Sequence, residues 1–122
     1  MIGHNHIGRN GRFGNQMFQY AATRGIAAAR GYDFIIPDGP RTDEEFVDEE
    51  QQHKLFMAFD MTGAKNIGLL EAGYRKEASF RYDQNIVDEC PDNVNLYGYF
   101  QSEKYFKHIE DEIRKDFTFR DE

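Results

Sequence analysis

An α/β fold built on a small parallel sheet, Rossmann-like, is the class this sequence predicts. Three observations predict it. The glycine turn Gly8-x-x-Gly11-x-x-Gly14 runs straight into a long amphipathic stretch. A single glycine, Gly31, separates that stretch from an apolar run at 32–37. A second apolar run, 95–100, feeds another helical pattern near the end of the chain. Strand, glycine turn, helix, strand is a βαβ unit, whose crossover is right-handed and whose strands lie parallel. With 122 residues, one α/β domain over 1–122 is expected.

Taken in order, residues 1–7 predict a short first strand, interrupted by Gly3, His4, Asn5 and His6. Residues 15–30 predict a helix, with Met17, Phe18, Ala21, Ala22, Gly25, Ile26 and Ala29 recurring at intervals of three and four on one face. Its small residues suit close approach to a sheet, and Gly31 stands where a helix ends on a glycine. Residues 32–37 read as a buried strand closed by the turn Pro37-Asp38-Gly39-Pro40. Thr42 or Asp43 is placed to cap a helix carrying Phe46, Val47, Leu55 and Phe56, with an acidic loop as the alternative. Short strands are expected at 67–70 and at 77–82, the latter with Ala78, Phe80 and Tyr82 on one side. Residues 88–93 read as a turn and 95–100 as a strand. Ser102 then caps a continuous helix over 103–116, with Tyr105, Phe106, Ile109, Ile113 and Phe117 as its apolar stripe. The pairs Glu103–Lys107, Glu110–Arg114 and Asp111–Lys115 stand in the favourable i,i+4 order.

Composition limits the function classes. The hydrophobic fraction is 39%, a lean value, so eleven Phe and seven Tyr must supply much of the core. A net charge of −7 argues against nucleic acid and against an anionic membrane surface as partners, since both need clustered Lys and Arg. One cysteine, Cys90, permits no internal disulfide and reads as a small buried hydrophobe. No basic-then-apolar leader pattern and no long apolar run are present, which gives a soluble, cytoplasmic protein as the expectation.

The chemistry-bearing segment is 11–20, Gly-Arg-Phe-Gly-Asn-Gln-Met-Phe-Gln-Tyr. Glycine lets a ligand approach the backbone closely. The first amides of the following helix and the positive end of its dipole converge on one point, a seat for a phosphate. Arg12 adds a forked cationic donor. The glycine spacing is not the G-x-G-x-x-G dinucleotide fingerprint, and no G-K-[ST] follows, so neither of those nucleotide folds is supported.

The segment 11–20 resembles the N-terminal motif of the α-1,2-fucosyltransferases of glycosyltransferase family 11, a group common in bacteria and phage. Gly98-Tyr99-Phe100-Gln101-Ser102-Glu103-Lys104-Tyr105-Phe106, with Ile113-Arg114 and Phe117-Thr118-Phe119 beyond it, is similar to a second block of the same family. The resemblance implies the N-terminal lobe of a GT-B-like, metal-independent enzyme without a resident cofactor. Such an enzyme transfers fucose from GDP-fucose to a galactoside hydroxyl with inversion. It places Gly11, Arg12, Phe13, Gly14, Asn15 and Gln16 at the donor diphosphate, with Asn15 as the residue whose side chain and amide stabilise the departing GDP. The family's second motif, His-x-Arg-x-Gly-Asp-Tyr, has no counterpart in these 122 residues. The chain therefore resembles the N-terminal half of such an enzyme, and we expect little turnover from it alone. Pairing is expected with a second copy or with a separate C-terminal half. The alternative is a non-enzymatic remnant serving as an assembly or carbohydrate-binding module.

The remaining constellations are weaker. His4-x-His6 puts two imidazoles on one side of a strand with no third ligand near, and reads as a polar N-terminus rather than a metal site. His53 and His108 read as solvent-facing. Glu71, Glu77 and Asp83 are unranked candidates for a general base. Tyr97, Tyr99 and Phe100 read as core or interface, with a sugar-stacking surface as the second reading.

Overall fold

A computed structural model of the chain describes residues 1–7, 13–37, 55, 59–77 and 81–118. Among them, four short strands form one sheet: β1 (Ile2–Gly3), β2 (Phe34–Ile35), β3 (Tyr74–Lys76) and β4 (Val94–Tyr97). The order is β2-β1-β4-β3, and every pairing is parallel. The register aligns Ile2 with Phe34 on one side and with Val94 on the other, while Tyr74 faces Asn95. This is the predicted Rossmann-like α/β arrangement.

Helix α1 (Phe13–Arg30) links β1 to β2, and α2 (Gln84–Glu89) links β3 to β4. Both crossovers step the same way along the sheet, so the right-handed rule puts both helices on one face. They pack on each other there. Their shared core holds Ile2 and Leu96 from the sheet, Ala22, Ile26 and Ala27 from α1, Ile86 and Cys90 from α2, and Phe100 and Tyr105 beyond β4. A second cluster, with Tyr20, Ala21, Ile36, Leu55, Phe59, Met61 and Ile113, lies along another side of α1. Helix α1 is thus covered on more than one face. Gln16, Gln19, Tyr20, Thr23 and Ala27 are buried beside the predicted stripe, whereas Ala29 is exposed. Gly31 ends the helix at φ +74°, where a side chain would be strained.

Several expectations are corrected. The first strand covers only Ile2–Gly3, because the chain turns at His4 to bury polar side chains. The strand expected at 67–70 reduces to one parallel bridge, Ile36 to Ile67. Of the strand expected at 77–82, residues 78–80 lie outside the described residues, while a strand that the pattern did not reveal stands at Tyr74–Lys76, a charged and largely exposed segment with no apolar alternation. Helix α2 falls across the start of the expected turn, with Asp83 Oδ1 accepting from Asn85 N at 2.9 Å as its cap. The continuous helix expected over 103–116 is three pieces: 3₁₀ turns Glu103–Tyr105 and Lys107–Ile109, then α3 (Glu110–Asp116).

The physical cause of that break is the approach of α1. A Cβ at Gly25 would sit 2.1 Å from Tyr105 O and 2.7 Å from Phe106 Cα. The small residue at Gly25 lets α1 close on this segment as well as on the sheet, and Phe106 leaves helical angles at the contact (φ −133°, ψ 9°). His108 stands exposed, as expected, and its Nε2 lies 2.7 Å from Gly25 O. The stripe survives the break, with Tyr105 and Ile113 buried. Ser102 does cap, accepting from Lys104 N at 3.3 Å, and Glu110 pairs with Arg114 on the surface. The helix expected after Thr42 or Asp43 and His53 lie outside the described residues, save Leu55, which is buried.

One ionic junction joins the C-terminal helix to α1. Asp116, 1% exposed, accepts from Tyr20 Oη, Arg24 Nη1 and the Gly63 amide, the last at 2.7 Å. Burial raises the Tyr20 phenol far above its usual range, and the Asp116 carboxylate adds to the rise. Burial would lower the Arg24 guanidinium, but Asp116 outweighs it and the net shift is upward.

Candidate functional site

In parallel α/β sheets, ligands sit in the crevice beyond the carboxyl ends of the strands. Here that crevice lies beyond β1 and β4, where the first turn of α1 meets residues 98–101. Gly14 is exposed, and a Cβ built on it meets no atom of the described residues within 4 Å. Asn15 is half-buried, and its Oδ1 accepts a hydrogen bond from Gln101 Nε2. Gln16 is buried completely. Phe13 opens the helix, while Gly11 and Arg12 lie outside the described residues.

Beneath this contact the chain after β4 is held from two sides. The Gly98 carbonyl lies 3.1 Å from His4 Nε2 and accepts from Gln19 Nε2, also at 3.1 Å. A carbonyl only accepts, so the His4 proton resides on Nε2. From the opposite side Glu77 takes the two amides of the next residues, Oε1 from Tyr99 at 3.2 Å and Oε2 from Phe100 at 3.1 Å. The turn needs this grip, because Gly98 has φ +147° and Phe100 has φ +52°. A Cβ at Gly98 would lie 2.6 Å from Glu77 Cβ, so the turn requires glycine twice over.

These contacts sort the other candidates. Glu77 grips backbone and Asp83 caps α2, while Glu71 is exposed. His4 is 1% exposed and turns inward to Gly98, whereas His6 turns to Tyr74 and Tyr97. The two imidazoles thus diverge, and among the described residues no group of three or more His, Cys, Asp or Glu gathers that could hold a metal ion. Phe100 is core, packed edge-on to Tyr105 at 5.4 Å, so Tyr97, Tyr99 and Phe100 do not make one surface. Cys90 is buried in the core, and burial pushes its thiol up. Among the described residues no helix is long and apolar enough to cross a membrane.

Sequence reasoning missed Gln19, and it considered His4 and Glu77 in other roles, as a metal ligand and as a general base, rather than as the groups that hold the turn after β4. Gln19 lies one turn beyond Asn15 on the same side of α1.

Among known proteins, an alpha-1,2-colitosyltransferase of Escherichia coli is 27% identical over 125 aligned positions, which cover 88% of this chain and 42% of that protein. The chain thus spans less than half the length of the curated relative it matches. No family model and no solved structure matches it. The similarity supports a protein of glycosyltransferase type.

Proposed function

We propose that this chain forms the N-terminal lobe of a fucosyltransferase-type glycosyltransferase that uses GDP-fucose and a galactoside acceptor, and that it lines the donor diphosphate. The observation that carries the reading is the hydrogen bond between Asn15 and Gln101. It joins the two sequence blocks that carry the family resemblance, and it does so at the strand ends where an α/β sheet offers its crevice. The 27% identity to a colitosyltransferase supports the same class of reaction.

In this reading the acceptor hydroxyl oxygen attacks the anomeric carbon as the bond from that carbon to the diphosphate breaks. Negative charge then grows on the departing GDP. The amides at the start of α1, the Asn15 side chain and Arg12 are the groups that meet it. Gly14 fits the role, since a Cβ there meets none of the described residues and the glycine adds no side chain of its own to the first turn of α1. Asn15, tied to Gln101, is oriented before the ligand arrives. The described fold is one α/β lobe, and the reading assigns it the corner that meets the donor diphosphate.

Calorimetric titration of GDP tests this. The wild-type chain binds, and Asn15→Ala weakens binding at least about tenfold, equivalent to about 1.4 kcal/mol. Absence of any saturable heat with the wild-type chain overturns the reading.

A further inference from the structure

The sheet has a second face, turned away from α1, and three rings converge on it. Leu96 points into the core, so its neighbours Asn95 and Tyr97 point the other way. Tyr74 and Lys76 stand on that same side, since Tyr74 pairs with Asn95 and Lys76 with Tyr97. His6, just past the end of β1, completes the group. The ring centroids lie 5.4 Å apart for His6 and Tyr74, 5.3 Å for His6 and Tyr97, and 6.0 Å for Tyr74 and Tyr97. His6 Nε2 lies 3.0 Å from Tyr74 Oη, which fixes the outer ring in place.

We propose that His6, Tyr74 and Tyr97 form a pyranose-binding platform, fit for a galacto-configured glycoside. Tyr74 is 47% exposed although two rings pack against it, so it keeps ring surface open to a ligand. An aromatic face set among polar groups is the surface a sugar needs, because a pyranoside is apolar on one side and ringed by hydroxyls. In a β-galactoside the axial 4-hydroxyl leaves one face of the ring rich in C–H bonds. That face lies on an aromatic ring, while its hydroxyls find the Tyr74 phenol, the imidazole and the Lys76 ammonium at the rim.

The position links the platform to the crevice. Tyr97 immediately precedes Gly98, and His6 follows His4 by two residues. Tyr97 and His6 therefore stand beside the carboxyl ends of β4 and β1, on the sheet face opposite α1, while Tyr74 stands at the start of β3. The assignment of a bound glycoside as the acceptor rests on the proposed function, whereas the binding of a pyranoside does not.

Titration of methyl β-galactoside into the full chain, followed by the ring signals of labelled Tyr and His, tests the platform. Signals of Tyr74, Tyr97 and His6 shift saturably, and sorbitol, which has hydroxyls but no ring, leaves them in place. Tyr74→Phe keeps the ring and retains binding. Tyr74→Leu keeps bulk at an exposed strand position, holds the fold, and weakens binding at least about tenfold. Unmoved ring signals, an equal response to sorbitol, or unchanged binding by Tyr74→Leu each overturn the platform. GDP binding measured on the same samples reads the donor corner separately, so failure of one does not imply failure of the other.

Discussion

Asn15, on the first turn of α1, accepts a hydrogen bond from Gln101, 86 residues further along the chain. The contact ties a turn that follows β1 to a turn that follows β4, and these two strands are neighbours in the sheet. If it orients Asn15 for the donor, Gln101→Ala loosens the side chain without emptying the core, because Gln101 is exposed. GDP binding then weakens several-fold while the melting temperature stays within about two degrees, a surface change being worth under about 0.5 kcal/mol. Calorimetry beside thermal melting checks both halves.

Gly14 offers a test that separates stability from function. Glycine in a helix costs about 0.5–1 kcal/mol relative to alanine, and among the described residues nothing packs against the position. Gly14→Ala therefore raises the melting temperature. The added methyl stands where an anion would approach the first turn, so GDP binding falls. A stabilised variant with undiminished binding would show that the glycine serves no ligand.

Gly25 makes the opposite case. A Cβ there meets the backbone of Tyr105 and Phe106, which cannot swing aside. Gly25→Ala destabilises by about 1–3 kcal/mol despite the better helix former, read as a lowered urea midpoint.

Much of this fold was legible from the pattern of side chains. The helix beginning near Asn15, the glycine stop at Gly31 and the strands around Phe34 and Leu96 follow from local rules. What was hidden is what tertiary contact decides. The stripe from Tyr105 to Ile113 is helical in spacing, yet the helix breaks because Gly25 pulls the backbone of Tyr105 and Phe106 onto α1. Tyr74–Lys76 is a strand only because β4 lies beside it. In the site, Asn15 and Gly14 stood out by residue type and position. Glu77 did not, since a carboxylate that grips two backbone amides looks, in sequence, like any surface acid.

The Asp116 junction predicts a large penalty. Asp116→Asn replaces the negative charge beside Arg24 and sets an amide where Tyr20 and Arg24 both donate. Breaking a buried pair in this way costs about 3–5 kcal/mol. Denaturant unfolding of the variant measures it, and a cost below about 1 kcal/mol would mean that water screens the pair.

Alkaline pH should unfold the chain for a stated reason. Burial raises the phenols of Tyr20 and Tyr105 above their ordinary value, and the folded state keeps its protons longer than the unfolded one. Their contribution is complete below about pH 10, the unfolded tyrosine value, and is lost as pH rises toward the folded values. The Cys90 thiol, raised by burial, adds a loss beginning near its unfolded value of about 8.5. Urea midpoints followed from neutral pH upward should fall over this range, with a shallower fall in Tyr105→Phe.

The most direct measurement is a map of backbone amide shifts during titration with GDP. The account places the largest changes on Gly14, Asn15 and Gln16 at the start of α1 and on Gln101 across the crevice, and Asn15→Ala abolishes them. Shifts centred elsewhere, or amides that stay still at saturating GDP, would contradict it.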